Sequence, residues 1–227
     1  MSNMMIWILM IAVMVLSFIV QQRLQGRFAK YSKIRNSMGM TGAQVAEKML
    51  RDNGIYDVKV VSVAGQLTDH YNPRTKTVNL SEDVYSKDSV AAAAVAAHEC
   101  GHALQHANGY VPLKLRSAIV PVVTFANMAV QWVLLAGVLL INIFPGLLWL
   151  GIALFAMTTL FSVITLPVEI NASTRAVAWL SNAGITDSDT APMAIDALKW
   201  AAYTYVIAAI GSIATLLYYI SIGNSRR

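Results

Sequence analysis

Two histidines and a glutamate in this sequence are spaced so that they could hold a metal ion and activate water. They occur in the string His98-Glu99-Cys100-Gly101-His102, which is an H-E-x-x-H pattern. Residues four apart on a helix lie one turn above each other, so the two imidazoles can converge on one zinc ion. Glu99 is rotated from His98 by about 100°, which lets its carboxylate take a proton from water beside the metal.

A catalytic zinc site needs a third protein ligand and an open fourth position. The longer pattern H-E-x-x-H-x-x-G-x-x-H would supply another histidine, but Gln105 and Asn108 occupy its Gly and last His positions. His106 lies one further turn along the helix, too far along the axis to share the metal easily. Glu169, which follows Pro167, is the strongest carboxylate candidate; the alternative is a first-turn glutamate that interacts with the helix dipole.

Residues that could stabilise a transition state are harder to assign. Peptide hydrolysis develops an oxyanion beside the metal, which a cation, a histidine or a tyrosine could stabilise. Arg175 could do this or could pair with a carboxylate, and His70 and Tyr71 could reach the cleft if their turn folds over it. Cys100, the only cysteine, is expected to point away from the ligand face and to pack, and no intramolecular disulfide is possible.

The H-E-x-x-H pattern lies in an Ala-rich stretch, residues 89–107, which predicts a strong helix that ends at Asn108-Gly109. Upstream, a helix over 41–53 is predicted, with a strand over 56–63 and a second over 75–80. The intervening 66–74 is rich in turn formers. Residues 21–116 are therefore predicted to form a mixed α/β unit.

The composition indicates that a bilayer takes up much of the apolar surface. Hydrophobic residues make up 56% and charged residues 13%, against roughly 25% charged in a soluble domain. Four blocks approach the ~20 apolar residues that a membrane span needs. They are residues 4–20, 117–142, 146–166 and 203–222. The first block could be a cleaved signal peptide or a permanent anchor. It has no preceding Lys or Arg and no cleavage site, which favours a permanent anchor.

The positive charges set an orientation, because Lys and Arg near span ends favour the cytoplasmic side. One side would hold Arg23, Arg27, Lys30, Lys33, Arg35, Lys114, Arg116, Arg175 and Lys199, and the other Arg226 and Arg227. We expect both termini outside a cell membrane, with 21–116 and 167–202 in the cytoplasm. The net charge of +5 fits this topology better than nucleic-acid binding, since no basic patch is interleaved with aromatics.

Several strings resemble the bacterial membrane-bound neutral zinc metallopeptidases of the YugP type. They are HECGHALQH (98–106), LTDHYNPRTKTVNL (67–80), EINASTRAVAWL (169–180) and AAYTYV (201–206). The resemblance implies an α-helical multi-pass membrane protein with a small α/β zincin-like domain, related in layout to the HtpX-like Glu-zincins. It also implies one zinc per chain, held by His98, His102 and Glu169, with Glu99 as general base.

The sequence departs from the broader Glu-zincin pattern at one position. That pattern places an acid four residues after the ligand glutamate, where it orients a metal-binding imidazole. Ser173 stands there. Ser173, Asn171 and a main-chain carbonyl are the open alternatives for this role.

The leading functional hypothesis is a membrane endopeptidase that acts at the cytoplasmic face on membrane-associated or misfolded proteins. Its partners would be a protein or peptide substrate and the lipid bilayer, without nucleic acid. One alternative is a site-2-type intramembrane protease, which would need the motif in a long apolar segment and a downstream Asp in a span. The other is a zinc-binding scaffold or chaperone, which would not need Glu99. Oligomeric state and regulatory partners are not indicated.

Overall fold

The computed structural model describes residues 3–224, which form seven α-helices and three β-strands. The prediction that places Arg226 and Arg227 on the outer side concerns residues outside this range. The helices are α1 (Asn3–Tyr31), α2 (Gly42–Asp52), α3 (Glu82–Ser86), α4 (Val90–Ala107), α5 (Val111–Leu139), α6 (Pro145–Asn182) and α7 (Ala191–Asn224). The strands are β1 (Lys59–Val63), β2 (His70–Asn72) and β3 (Thr77–Ser81).

Four helices are long and apolar enough to cross a membrane. They are α1, α5, α6 and α7, whose apolar helical segments contain 28 to 38 residues. A helix needs about 20 residues to cross a hydrocarbon core. This confirms the prediction of a mostly helical protein with four membrane-capable helices and a small sheet. Each helix is longer than the apolar block that predicted it; α1, for example, continues to Tyr31.

The chain divides into two compact units. Among residues 3–224, the membrane unit comprises 3–19, Lys114–Leu166 and 204–224. The site unit comprises Val20–Leu113 and Pro167–Tyr203. Within the membrane unit, α5 and α6 pack closely after a short turn. A Cβ at Gly137 would lie 2.6 Å from Leu148 Cα. Small residues permit such close helix approach in membranes.

The site unit is built around a core shared by α2, β3 and α4. Thr41 begins α2 with a capping box, in which its side chain accepts from the Gln44 N–H and the Gln44 side chain accepts from the Thr41 N–H. The fully buried core includes Val45 and Met49 of α2, Val78 and Leu80 of β3, and alanines of α4. Burial of this apolar surface is the main favourable term that holds α4 in place.

The three strands form one sheet in the order β1-β3-β2. β1 pairs in parallel with one side of β3. β2 pairs antiparallel with the other side of β3, where Tyr71 lies opposite Val78. β2 lies within residues 66–74, where the sequence indicated only turn. The prediction was wrong there because three residues beside Pro73 carry no strand pattern of their own; pairing with β3 makes them extended.

Pro167 marks a second difference. It was expected to end the third span and to begin another helix, but it lies inside α6, which runs from Pro145 to Asn182. A proline removes one backbone N–H and usually breaks a helix in water. Helices that cross membranes tolerate it, because neighbouring groups and local adjustment satisfy the freed carbonyl.

Candidate metal centre

The helix α4 carries the H-E-x-x-H pattern through the middle of the site unit. Its N-terminus is capped by Ser89, whose side chain accepts from the Ala92 N–H. Gly101 lies against α6, where a Cβ would come within 2.7 Å of the Ala172 carbonyl oxygen. Because only glycine fits such an approach, residue 101 allows the two helices to lie close together.

The structure brings together the side chains of His98, His102 and Glu169. Their ligand atoms all lie within 4.8 Å of one another. Glu169 Oε2 is 3.2 Å from His98 Nε2 and 3.6 Å from His102 Nε2. The three side chains are only 13%, 10% and 4% exposed, in the order His98, His102, Glu169.

This donor set fits a zinc ion. Two imidazole nitrogens and one carboxylate are the ligands of known catalytic zinc sites, which leave one coordination position for water or substrate. The Glu169 carboxylate is buried beside the two histidines. Buried charges in proteins are normally paired or coordinate metals. His98, His102 and Glu169 could therefore hold a metal ion.

The opposite nitrogen of each imidazole has its own partner. His98 Nδ1 lies 3.0 Å from Ser173 Oγ, and His102 Nδ1 lies 3.0 Å from Gln105 Oε1. Such outer hydrogen bonds set the tautomer and the ring orientation of metal-binding histidines. Of the alternatives left by the sequence, Ser173 contacts His98. Gln105 was missed, although its place three residues after His102 puts it on the same helix face.

Glu99 is held from a different direction. Its Oε2 accepts a 3.0 Å hydrogen bond from the Tyr71 main-chain N–H, which belongs to β2. The residue is 8% exposed. Its carboxylate thus reaches from the helix that carries both histidines to the edge strand of the sheet.

The charges of the cluster act on one another. Burial lowers the pKa of His102, but the hydrogen bond that His102 donates to the Glu169 carboxylate and the charge of Glu99 raise it more, so the net pKa lies above the ordinary value. Neighbouring carboxylates favour the protonated imidazole in this way. The same two carboxylates would favour a divalent cation.

The remaining candidates contact residues other than the three candidate ligands. His70 is exposed on β2, and its Nδ1 lies 2.7 Å from the Thr68 carbonyl oxygen. Arg175 donates from Nε to Asn171 Oδ1 at 2.8 Å. The Tyr71 hydroxyl lies 2.9 Å from Nδ1 of His106, so this histidine pairs with the strand.

Cys100 points into the core of the site unit. It is fully buried, and its sulfur lies 3.6 Å from the Ala46 carbonyl oxygen. Burial raises the pKa of the Cys100 thiol, which keeps it protonated and unreactive. Its position agrees with the packing role expected from the sequence.

Known proteins that resemble this chain carry descriptions that fit the cluster. Residues 6–224 match the model of a family described as "Putative neutral zinc metallopeptidase". The chain is 45% identical over 214 residues to the "Putative membrane protease YugP" of Bacillus subtilis (strain 168), an alignment that covers 94% of each protein. No solved structure matches it. The relative's description and the four membrane-capable helices support a membrane location.

Proposed function

The chain belongs to this family of neutral zinc metallopeptidases, and we propose that it is a membrane-anchored, zinc-dependent endopeptidase. The observation that carries the proposal is that ligand atoms of His98 and His102 on α4 and of Glu169 on α6 lie within 4.8 Å of one another. Glu99 follows His98 directly on α4. We assign the site unit to the zincin-like class, since a sheet edge lies beside a metal-binding helix there.

In this proposal the two Nε2 atoms and the Glu169 carboxylate hold one zinc ion per chain. When bound there, zinc supplies Lewis acidity and lowers the pKa of a water molecule that it holds to about 7. Ser173 and Gln105 keep the two imidazoles turned with Nε2 toward the Glu169 carboxylate. The low exposure of all three side chains limits competing water and strengthens the electrostatic interactions among them.

Glu99 acts as the general base. Its Oε2 is held by the Tyr71 N–H, so Oε1 is the atom that accepts a proton from the attacking water. The same carboxyl group then donates that proton to the leaving amine, as general acid–base catalysis requires. Because the hydrogen bond comes from the backbone of β2, it does not use the hydroxyl of Tyr71.

The substrate class and the orientation are also proposals. Membrane-associated or misfolded protein chains at the cytoplasmic face are the proposed substrates. The description of the Bacillus subtilis relative as a "Putative membrane protease" supports the membrane-associated class. The cytoplasmic orientation is supported by the basic residues near the predicted spans, under the positive-inside rule. The lipid bilayer is the second expected partner.

Metal removal tests the function directly. Purified protein should contain about one zinc per chain and cleave an unfolded protein substrate. Dialysis against a chelator should abolish cleavage, and added zinc should restore it. Protein that binds zinc stoichiometrically but cleaves neither unfolded nor membrane-bound chains would instead be a zinc-binding scaffold, and the proposed enzyme would be wrong.

A further inference from the structure

Gln105 is the polar side chain most deeply enclosed beside the candidate metal ligands. It is fully buried, and each of its polar atoms has a partner. Oε1 lies 3.0 Å from His102 Nδ1, while Nε2 lies 2.8 Å from the Val168 carbonyl oxygen and 3.0 Å from Asn171 Oδ1. A buried amide with every group satisfied is costly to rearrange.

These partners determine which end of the Gln105 amide faces His102. A main-chain carbonyl such as that of Val168 can only accept a hydrogen bond, so the Gln105 atom beside it must be the NH₂ group. The oxygen then faces His102, and His102 Nδ1 must carry the proton that it accepts. In the neutral imidazole, which is the form that binds a metal, His102 Nε2 then keeps its lone pair on the side of Glu169.

Arg175 supports the same arrangement from the far side of Asn171. Its Nε can only donate, and it lies 2.8 Å from Asn171 Oδ1. The Asn171 atom that Arg175 and Gln105 share is therefore the oxygen, and the Gln105 atom facing it is again the nitrogen. Two independent acceptors, a carbonyl and an amide oxygen held by a guanidinium, thus fix the Gln105 amide in one orientation.

We propose that Gln105 is a positioning residue that locks His102 in the tautomer required for metal binding through Nε2, and that Arg175 acts on the metal centre through Asn171 and Gln105. The inference rests on the proposed function, in which His102 binds a metal ion. It assigns Arg175 a positioning role in place of direct contact with the oxyanion.

Zinc affinity of the purified protein, measured by competition with a chromophoric chelator, tests the role of Gln105. Gln105→Leu keeps the bulk but removes the acceptor, so zinc should bind about 10- to 100-fold more weakly, the usual effect of losing an outer hydrogen-bond partner of a ligand. Gln105→Glu restores an acceptor for the Nδ1 proton but sets its second oxygen against the Val168 and Asn171 oxygens, so its zinc affinity should lie between those of Gln105→Leu and the parent.

The control is Leu104→Ala, which alters a buried neighbour on the same helix (6% exposed) without touching the hydrogen bonds. It should lower thermal stability and leave zinc affinity unchanged. Equal zinc affinity for Gln105→Leu and the parent would overturn the inference while leaving the proposed function standing. A parent protein that binds no zinc would instead remove the proposed function itself.

Arg175 is tested separately by Arg175→Met, which keeps the aliphatic stem. Val168 still orients Gln105 in this variant, so zinc should bind only a few-fold more weakly than to the parent, less than the loss for Gln105→Leu. Unchanged affinity together with lost cleavage would place Arg175 at the substrate and overturn its positioning role.

The tautomer of His102 can also be measured directly on the parent protein, without a variant. Nitrogen-15 spectra of the zinc-loaded protein should report His102 protonated at Nδ1 and metal-bound at Nε2. The reverse assignment would contradict the proposal even if Gln105→Leu failed to fold.

Discussion

The main-chain N–H of Tyr71 donates a 3.0 Å hydrogen bond to Oε2 of Glu99. This bond joins the edge strand β2 to the helix α4, 28 residues further along the chain. β2 is itself held in register by β3, with His70 opposite Asn79, and the Asn79 side chain donates to the His70 carbonyl. The position of the proposed base therefore depends on the sheet as well as on its own helix.

Replacing Glu99 by Gln should separate metal binding from hydrolysis. The glutamine carbonyl oxygen can accept the same Tyr71 N–H, so we expect unchanged zinc content and an unchanged fold. Cleavage should fall by about 100- to 10,000-fold, the contribution of a positioned general base. The measurements are metal analysis and cleavage of an unfolded protein. Glu47→Gln, at an exposed position of α2, is the control, and parental cleavage by Glu99→Gln would contradict the mechanism.

Replacing Glu169 by Ala should weaken zinc binding. The variant loses one of three ligands, so the affinity should fall by more than the roughly 100-fold upper effect of losing an outer partner. Chelator competition measures this. Thr174→Ala changes an exposed residue of the same helix and should bind zinc like the parent. If Glu169→Ala retained parental affinity, the third ligand would have to lie elsewhere.

The close approach of α4 and α6 at Gly101 is itself testable. Gly101→Ala would drive a methyl group to 2.7 Å from the Ala172 carbonyl oxygen, and such overpacking costs about 1–3 kcal/mol. Thermal unfolding should occur at lower temperature, and zinc affinity should fall because Glu169 moves away from the histidines. Gly26→Ala is the matched control, since its Cβ would meet nothing within 4 Å; a similar loss there would show that any added methyl group is harmful.

Hydropathy and local sequence pattern were enough to predict much of this architecture. An uninterrupted apolar stretch of bilayer length predicts a span wherever it occurs, and the four membrane-capable helices follow from that rule. The helix at Val90–Ala107 and its stop at Asn108 likewise follow from Ala-rich composition and a following Gly, which depend on neighbouring residues only.

The features that sequence reasoning missed depend on distant parts of the chain. β2 exists because β3 offers a partner, and no alternation in His70–Asn72 indicates a strand. The contact of Gln105 with Val168 depends on how α6 packs against α4. Pro167 was interpreted by the rule for helices in water, although α6 belongs to the membrane-capable helices. The close approach of Glu169 to His98 was expected, but the roles of these residues as ligands remain predictions for metal analysis.

Asp187 should make the thermal stability of the protein depend on pH in the acidic range. Its carboxylate accepts hydrogen bonds from the Thr190 N–H and hydroxyl and from the Ser37 hydroxyl, and these hold its pKa below the ordinary value. A depressed carboxyl pKa stabilises the folded state fully above the unfolded pKa, near 3.9. That stabilisation is lost as pH falls from there toward the folded pKa.

Asp187→Asn should therefore unfold at lower temperature than the parent at pH 7, and the difference should shrink as the pH falls below about 4. Thermal unfolding from pH 7 to pH 3 measures it. Asp189→Asn, at an exposed neighbour whose N–H donates to Asp187, is the control. A difference that stays constant across this pH range would show that Asp187 acts through its shape and not through its charge.

The proposed orientation can be tested by cysteine labelling in intact cells, because the chain has one cysteine and it is fully buried. Cys100 should therefore give little background. Gln66→Cys places a thiol on an exposed loop of the site unit, and Ile143→Cys places one in the turn between α5 and α6, where Ile143 is 81% exposed. If Lys and Arg hold the site unit in the cytoplasm, a membrane-impermeant maleimide should label Ile143→Cys in whole cells. Gln66→Cys should react only after the membrane is permeabilised, and labelling of Gln66→Cys from outside would reverse the topology.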